Sequence, residues 1–330
     1  MFAYIIRRIL YAIPILLGVN VITFTLFFVV NKPDDMARMH LGMKHVQQAD
    51  IDKWKSSHGY DKPLFYNSSP VTGGHLTDTI FFKKSIRLFV FDFGNADDGR
   101  NIGHDIRQRV LPSLAIAIPI FIIGLLLNIT LALIIAFFRA TYVDYTGMIL
   151  CVVLMSISTL FYIIGGQYLI SKVWHLVPIS GFSTHISTLS KFIILPVVVG
   201  VIGGIGSGTR WYRTIFLEEI SKDYVRTVRA KGMPERVVLF RHVLRNALVP
   251  ILTGVVVVIP LLFMGSLILE SFFGIPGLGS YTIDAIGSQD FAIVRSMVFL
   301  GSALYILGLI LTDISYTMVD PRIRLGAEAS

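Results

Sequence analysis

This sequence predicts an all-α polytopic membrane protein: six transmembrane helices, both termini cytoplasmic, an extracytoplasmic segment after the first helix and a cytoplasmic loop between the fourth and fifth. Three observations carry that expectation. Of 330 residues, 54% are hydrophobic and 15% charged, more apolar surface than a water-soluble fold hides. The apolar residues collect in runs long enough to cross a bilayer. The net charge of +8 gathers near the ends of those runs, where an excess of Lys and Arg marks the cytoplasmic side rather than a nucleic-acid surface.

Arg7 and Arg8 precede the first apolar run, residues 9–30. A cleaved signal peptide shares the basic start but has a shorter apolar region and a small-residue cleavage site, so the run reads as a retained first span. Asn20 within it is expected to face a neighbouring helix rather than lipid. Residues 1–30 thus form the N-terminus and first span, 31–109 the extracytoplasmic segment, and 110–330 the main transmembrane domain. In the extracytoplasmic segment, Trp54, Tyr60, Phe65 and Tyr66 stand beside charged residues, and residues 81–93, with Lys83, Lys84 and Arg87, are expected to form an interfacial amphipathic helix. Met36, Met39, His40, Met43 and His45 lack any strict ligand spacing, and no metal is assigned to them. Further spans follow at residues 110–138, 146–171, 192–209, 247–269 and 296–312. Gly200, Gly203, Gly204, Gly206 and Gly208 in the fourth allow close helix contact. Beyond the fifth, Gly274, Pro276, Gly277 and Gly279 force turns. The single cysteine, Cys151, excludes an intramolecular disulfide.

The stretch 210–246 is strongly one-signed. Asp223 to Lys231 reads as a short helix with basic residues in its last turn, suiting the negative end of the helix dipole. Gly232 follows as a left-handed helix stop. Pro234 then falls at a first helical position, with Glu235 beside it. The second helix is expected to place Val237, Phe240 and Leu244 on one face and Arg241 and Arg245 on the other. From the residues alone, such a hairpin either docks a soluble partner or lies on anionic lipid; both readings stand.

Several chemistries lack their residues. No Gly-rich loop ends in Gly-Lys-Ser or Gly-Lys-Thr, and neither HExxH nor GxSxG occurs. Glu218 and Glu219 are adjacent and read as a solvated helix edge. Spans two to five carry no Asp, Glu, Lys or Arg between their flanking charges, which counts against a proton- or ion-coupled carrier. No polar constellation in the spans suggests an intramembrane enzyme.

Asp223-Tyr-Val-Arg-Thr-Val-Arg-Ala-Lys-Gly232, followed by Arg241-His-Val-Leu-Arg-Asn-Ala-Leu-Val-Pro250, resembles the cytoplasmic signature loop of binding-protein-dependent ABC importer permeases, in particular the dipeptide/oligopeptide/nickel branch. Tyr4-Ile-Ile-Arg-Arg-Ile-Leu is similar to the start of that branch's first permease subunit. Asp92-Phe-Gly94, Val177-Pro-Ile-Ser-Gly181, Glu270-Ser-Phe-Phe-Gly-Ile-Pro-Gly-Leu-Gly279, Asp290-Phe and the C-terminal Val-Asp-Pro-Arg-Ile-Arg fit in order. Val228 stands where the branch usually has alanine, and residues 31–80 match weakly.

The resemblance implies a multi-pass subunit of the bacterial inner (cytoplasmic) membrane that imports peptides, or with the same machinery nickel or another small solute. The alternative is an ATP-independent secondary transporter. It implies no catalytic site and no cofactor on this chain, with ATP and Mg on partner ATPase subunits. The implied partners are a homologous second permease, two ATPases, an extracytoplasmic substrate-binding protein and membrane lipid. The implied ATPase-coupling residues are Asp223, Tyr224, Arg226, Thr227, Arg229, Ala230, Lys231, Gly232, Pro234, Arg241, His242, Arg245 and Asn246.

Overall fold

A computed structural model describes residues 2–42, 46–68 and 74–319; Met43 and His45 of the Met/His group and most of the C-terminal motif lie outside them. The described residues form α1 (Phe2–Phe24), running into a π-helical turn (Thr25–Val30), α2 (Pro33–Leu41), α3 (Gln48–His58), α4 (Ile80–Lys84), α5 (Ile102–Phe137), α6 (Tyr142–Ser156) and α7 (Thr159–Gly166). Then come α8 (Ile186–Ile220), α9 (Asp223–Ala230), α10 (Glu235–Val237), α11 (Leu244–Val258), α12 (Leu267–Phe273), α13 (Leu278–Ser288) and α14 (Phe291–Val319). Among the described residues there is no strand, only an isolated bridge between Asn95 and Asn101.

Among the described residues five helical stretches are long and apolar enough to cross a membrane: Ile6–Val30, Ile102–Phe137, Ser187–Ile220, Glu235–Met264 and Phe291–Ser315. The third apolar run makes a sixth only if Tyr142–Ser156 and Thr159–Val173, bent by 85°, are taken together. The sequence expectation of one continuous third span is therefore corrected. Ile157 and Ser158 are extended, and the Ser158 hydroxyl accepts from the Leu160 N–H at 3.4 Å, capping α7. The Tyr162 hydroxyl donates to the Leu154 carbonyl at 2.7 Å. Both ends of the break thus recover partners for groups that a helix end leaves open.

The described residues pack as two units, one within residues 2–109 with 281–310 and the other of residues 110–280 with 311–319. In the first, Phe24, Phe28, Met36, Tyr60 and Ile80 form a buried core. Asn20, buried, donates from its amide to the Ser85 carbonyl at 2.7 Å; its partner is the polar segment's backbone, not another span. Residues 81–93 do not make one amphipathic helix. They split into α4 and a 3-10 turn (Ile86–Val90), with Ile80 and Leu88 buried and Phe91 left-handed at φ 57°.

In the second unit, Leu269, Phe273 and Ile275 join Ile116, Ile163, Leu195 and Val199 in one core. Beside it Glu270, fully buried, accepts backbone N–H groups of Ser266 (3.1 Å), Gly279 (2.7 Å) and Ser280 (3.1 Å). Burial pushes its carboxyl above the ordinary range while these donors pull it back. A Cβ on Gly206 would lie 2.4 Å from the Cys151 carbonyl oxygen, so α6 and α8 touch backbone to backbone there. Gly204 has open space around it. Gly206→Ala is expected to cost about 1–3 kcal/mol through overpacking and Gly204→Ala almost nothing, compared as unfolding midpoints in detergent.

Candidate functional site

Helices flow into the 210–246 loop from both sides. The fourth span was expected to end at residue 209, yet α8 runs unbroken to Ile220. The fifth was expected to begin at 247, yet helix continues from Glu235 through a π-helical stretch (Val238–Val243) into α11. Outside helix, the loop consists of Ser221–Lys222 and residues 231–234. The second helix of the hairpin is therefore the start of the fifth span and not a separate element.

α9 forms as the sequence directs. Asp223 lies in its first turn and Arg229 in its last, matching the dipole at both ends. Val225 is fully buried, and Tyr224 and Val228 pack beside it against a core made by Ala132, Leu133 and Ala136 of α5, Phe216 and Ile220 of α8, and Val238, Leu239, Val243, Ala247 and Ile251. Gly232 has φ +76° and its N–H donates to the Arg229 carbonyl at 2.9 Å, a left-handed conformation that side chains resist. Pro234 is the N-cap rather than the first helical residue; its carbonyl accepts from Val237 and Val238, and Glu235 opens the helix.

The apolar face of the second helix differs from expectation. Val238, Leu239, Val243 and Ala247 are buried, whereas Phe240 is 61% exposed. Leu239, Val243, Ala247 and Ile251 carry the buried stripe at four-residue steps, with Val238 beside them. This stripe lies on the line of the helix next to the expected Val237, Phe240 and Leu244, the line that faces α5 and α8. Phe240 instead lines an apolar cavity of about 370 Å³ with Leu133, Phe137 and Phe138.

Of the residues expected to couple to an ATPase, Asp223, Arg226, Thr227, Ala230, Lys231, Gly232, Pro234, Arg241, Arg245 and Asn246 are exposed, and Tyr224, Arg229 and His242 half-buried. Arg229 grips Glu235 with two hydrogen bonds, Nε to Oε2 at 3.0 Å and a second from its terminal nitrogen to Oε1. This bidentate pair bridges the Gly232 turn. Arg226 meets Asp223 at 3.3 Å on an exposed surface, where such a pair adds little. His242 Nε2 is buried and has no hydrogen-bond partner among the described residues.

Two residues escaped the sequence reading. Glu219 is not part of a solvated edge: it is buried, while Glu218 is exposed. Its carboxylate accepts from the Tyr224 hydroxyl at 2.9 Å and from Lys222 Nζ. Burial first, and then Glu219, push the Tyr224 phenol up to about 12, against a lowering hydrogen bond with Asn246. Glu219, Tyr224 and Asn246 line one cavity of about 580 Å³. Asp144, in the first turn of α6, is the second. Arg213 donates to both of its oxygens at 2.9 Å, and the Ala140 N–H donates to Oδ2 at 3.0 Å. The i,i+3 spacing of Glu219 and Lys222 was a usable signal; nothing local pairs Asp144 with Arg213.

Residues 128–325 match the family described as binding-protein-dependent transport system inner membrane component. Residues 1–81 match the N-terminal part of such membrane components. The oligopeptide transport system permease protein AppB of Bacillus subtilis (strain 168) is 28% identical over 98% of this chain and 100% of its own length. The dipeptide transport system permease protein DppB of the same organism is 27% identical over 98% of each chain. Its namesake in Alkalihalophilus pseudofirmus is 26% identical over 98% of this chain and 100% of its own.

Proposed function

The chain belongs to the inner membrane components of binding-protein-dependent transport systems, and on that footing we propose that it is the permease subunit of an ATP-driven importer of peptides. It is a transport subunit and not an enzyme. The observation that carries the substrate class is full-length similarity to permeases named for oligopeptides and dipeptides.

In this reading both termini and the 210–246 loop face the cytoplasm, and residues 31–109 face outward. The exposed surface around Gly232 seats in a cleft of a partner ATPase. Asp223, Arg226, Thr227, Ala230, Lys231, Arg241 and Arg245 meet that partner, Gly232 and Pro234 shape the turn, and Arg229 braces it through Glu235. Tyr224, His242 and Asn246 tie the hairpin to the spans. Two ATPases bind ATP and Mg, a homologous second permease completes the pathway, and an external binding protein delivers substrate. Closure of the ATPases moves the hairpin and switches the permease pair between inward-open and outward-open states. The basic surface supports this over a lipid-lying segment because Val225, Val238, Leu239 and Val243 are buried in the core, which leaves Phe240 and Met233 as the large apolar residues the hairpin exposes.

Reconstitution tests the reading. The chain, co-expressed with its neighbouring permease, ATPases and binding protein, is placed in proteoliposomes, and uptake of labelled di- to pentapeptides and of nickel is measured with and without ATP. Peptide uptake at least about tenfold above the ATP-free level is expected, a margin worth ~1.4 kcal/mol. Nickel uptake in place of peptide assigns the same machinery to the metal. ATP-independent uptake overturns the importer.

A further inference from the structure

Within the unit built from residues 1–109 and 281–310 lies a basic cavity of about 270 Å³ that the transport reading leaves unused. Its walls carry Lys62, Lys83, Lys84, Arg87 and Arg295 against one carboxylate, Asp92. Some of that charge is answered nearby. Lys62 and Lys83 both reach Asp78 Oδ1, the latter at 2.7 Å, and hold that carboxyl down at about 2. Arg87 stands 3.6 Å from Asp92.

Lys84 and Arg295 remain. Neither has a carboxylate within ion-pair distance among the described residues. Lys84 Nζ lies 5.2 Å from the centre of the Tyr60 ring, and Arg295 sits over Phe28 at 5.5 Å. Arg295 is 3% exposed, and among the described residues its buried Nε has no hydrogen-bond partner. Asp290 and Asp97 act on Arg295 and Lys84 only from beyond ion-pair distance. A guanidinium removed from water with no anion in contact is costly, and a second cation on the same wall adds to that cost. Burial, and then repulsion from Arg295, draw Lys84 below the usual lysine range. An anion in the cavity would offset all three penalties.

We propose that this cavity binds one phosphate-ester anion, with the Arg295 fork and the Lys84 ammonium as its principal donors. Phosphate suits the fork geometry of arginine and takes a lysine as a point charge. Depth in the membrane adds support, and rests on the orientation proposed above. Arg295 stands in the opening turns of the last span helix and Phe28 in the closing turn of the first. Both ends then lie at the outer interface, the level of phospholipid headgroups. The two sources of the anion are such a headgroup and soluble phosphate.

The test uses the full-length chain, delipidated in dodecyl maltoside, and needs neither ATPase nor transported peptide, so its failure is distinct from failure of the importer reading. Short-chain phosphatidylglycerol, inorganic phosphate, and chloride at equal ionic strength are titrated. Unfolding midpoints are followed by tryptophan fluorescence, and bound lipid by native mass spectrometry. One phosphatidylglycerol per chain and a raised midpoint are expected. Lys84→Gln and Arg295→Gln should each raise the half-saturating concentration about tenfold or more, as the loss of a charge-assisted hydrogen bond does. Lys84→Gln keeps the test decisive should the buried arginine variant fail to fold. Stabilisation by phosphatidylglycerol alone assigns the site to lipid, and competition by inorganic phosphate assigns it to the soluble anion. Equal behaviour of phosphate, phosphatidylglycerol and chloride, or unchanged binding in Lys84→Gln, overturns the proposal.

Discussion

Gly232→Pro is expected to strip the partner ATPase from the purified chain while leaving the chain folded in the membrane. Gly232 sits at φ +76° and donates its N–H to the Arg229 carbonyl. Proline is locked near −65° and has no N–H, so it fails on both counts and costs ~3 kcal/mol or more at the turn. The substitution lies in an exposed turn, with no atom within 4 Å of where a side chain would begin, so no core is disturbed. At that penalty, co-purification in mild detergent and stimulated ATP hydrolysis should fall by about a hundredfold. Gly232→Ala meets only the left-handed strain, ~1–2 kcal/mol, and should give an intermediate loss. A tagged-chain pull-down with an ATPase assay reads all three. Undiminished ATPase recovery with Gly232→Pro would show that the hairpin is not the docking element.

The second large effect is expected at Asp144. Its carboxylate is 8% exposed and carries both Arg213 bonds plus the Ala140 N–H. Asp144→Ala leaves a mostly buried guanidinium without its partner, a loss of about 3–5 kcal/mol for pairs of this kind. Arg213→Met should cost a similar amount. The double variant should cost clearly less than the sum, because neither residue then leaves an uncompensated charge. Unfolding midpoints of the four proteins in detergent close the cycle. Strict additivity would mean that the pair contributes nothing to the fold.

Much of this molecule follows from reading residues locally, and the exceptions share a physical cause. Spans declare themselves because lipid demands an unbroken apolar length. The Gly232 turn declares itself because a left-handed residue at the end of a short helix calls for glycine. The 85° break at Ile157 and Ser158 does not, since the composition on either side stays apolar and the caps that stabilise it arrive from Ser158 and Tyr162. The buried face of the second helix differs from the expected one because the sequence offers apolar residues on two neighbouring lines, Val237–Phe240–Leu244 and Leu239–Val243–Ala247, and packing against α5 and α8 selects the second. Glu219 looked solvated because Tyr224, which covers it, belongs to the next helix. The Arg213 and Asp144 pair joins residues 69 apart in sequence, and no local pattern reports a contact of that range.

The hairpin's second helix has no joint separating it from the bilayer. Glu235–Met264 is one stretch of 30 residues, about 45 Å at the rise of an α-helix, so tilting its Glu235 end by about 10° about the opposite end would sweep the Gly232 turn through about 8 Å. Such a rod works as a crank: a small rotation inside the membrane becomes a large stroke at the tip, and a force on the tip gains leverage inside. Pro250 and the π-helical turns are the places along that shaft where torque would be lost.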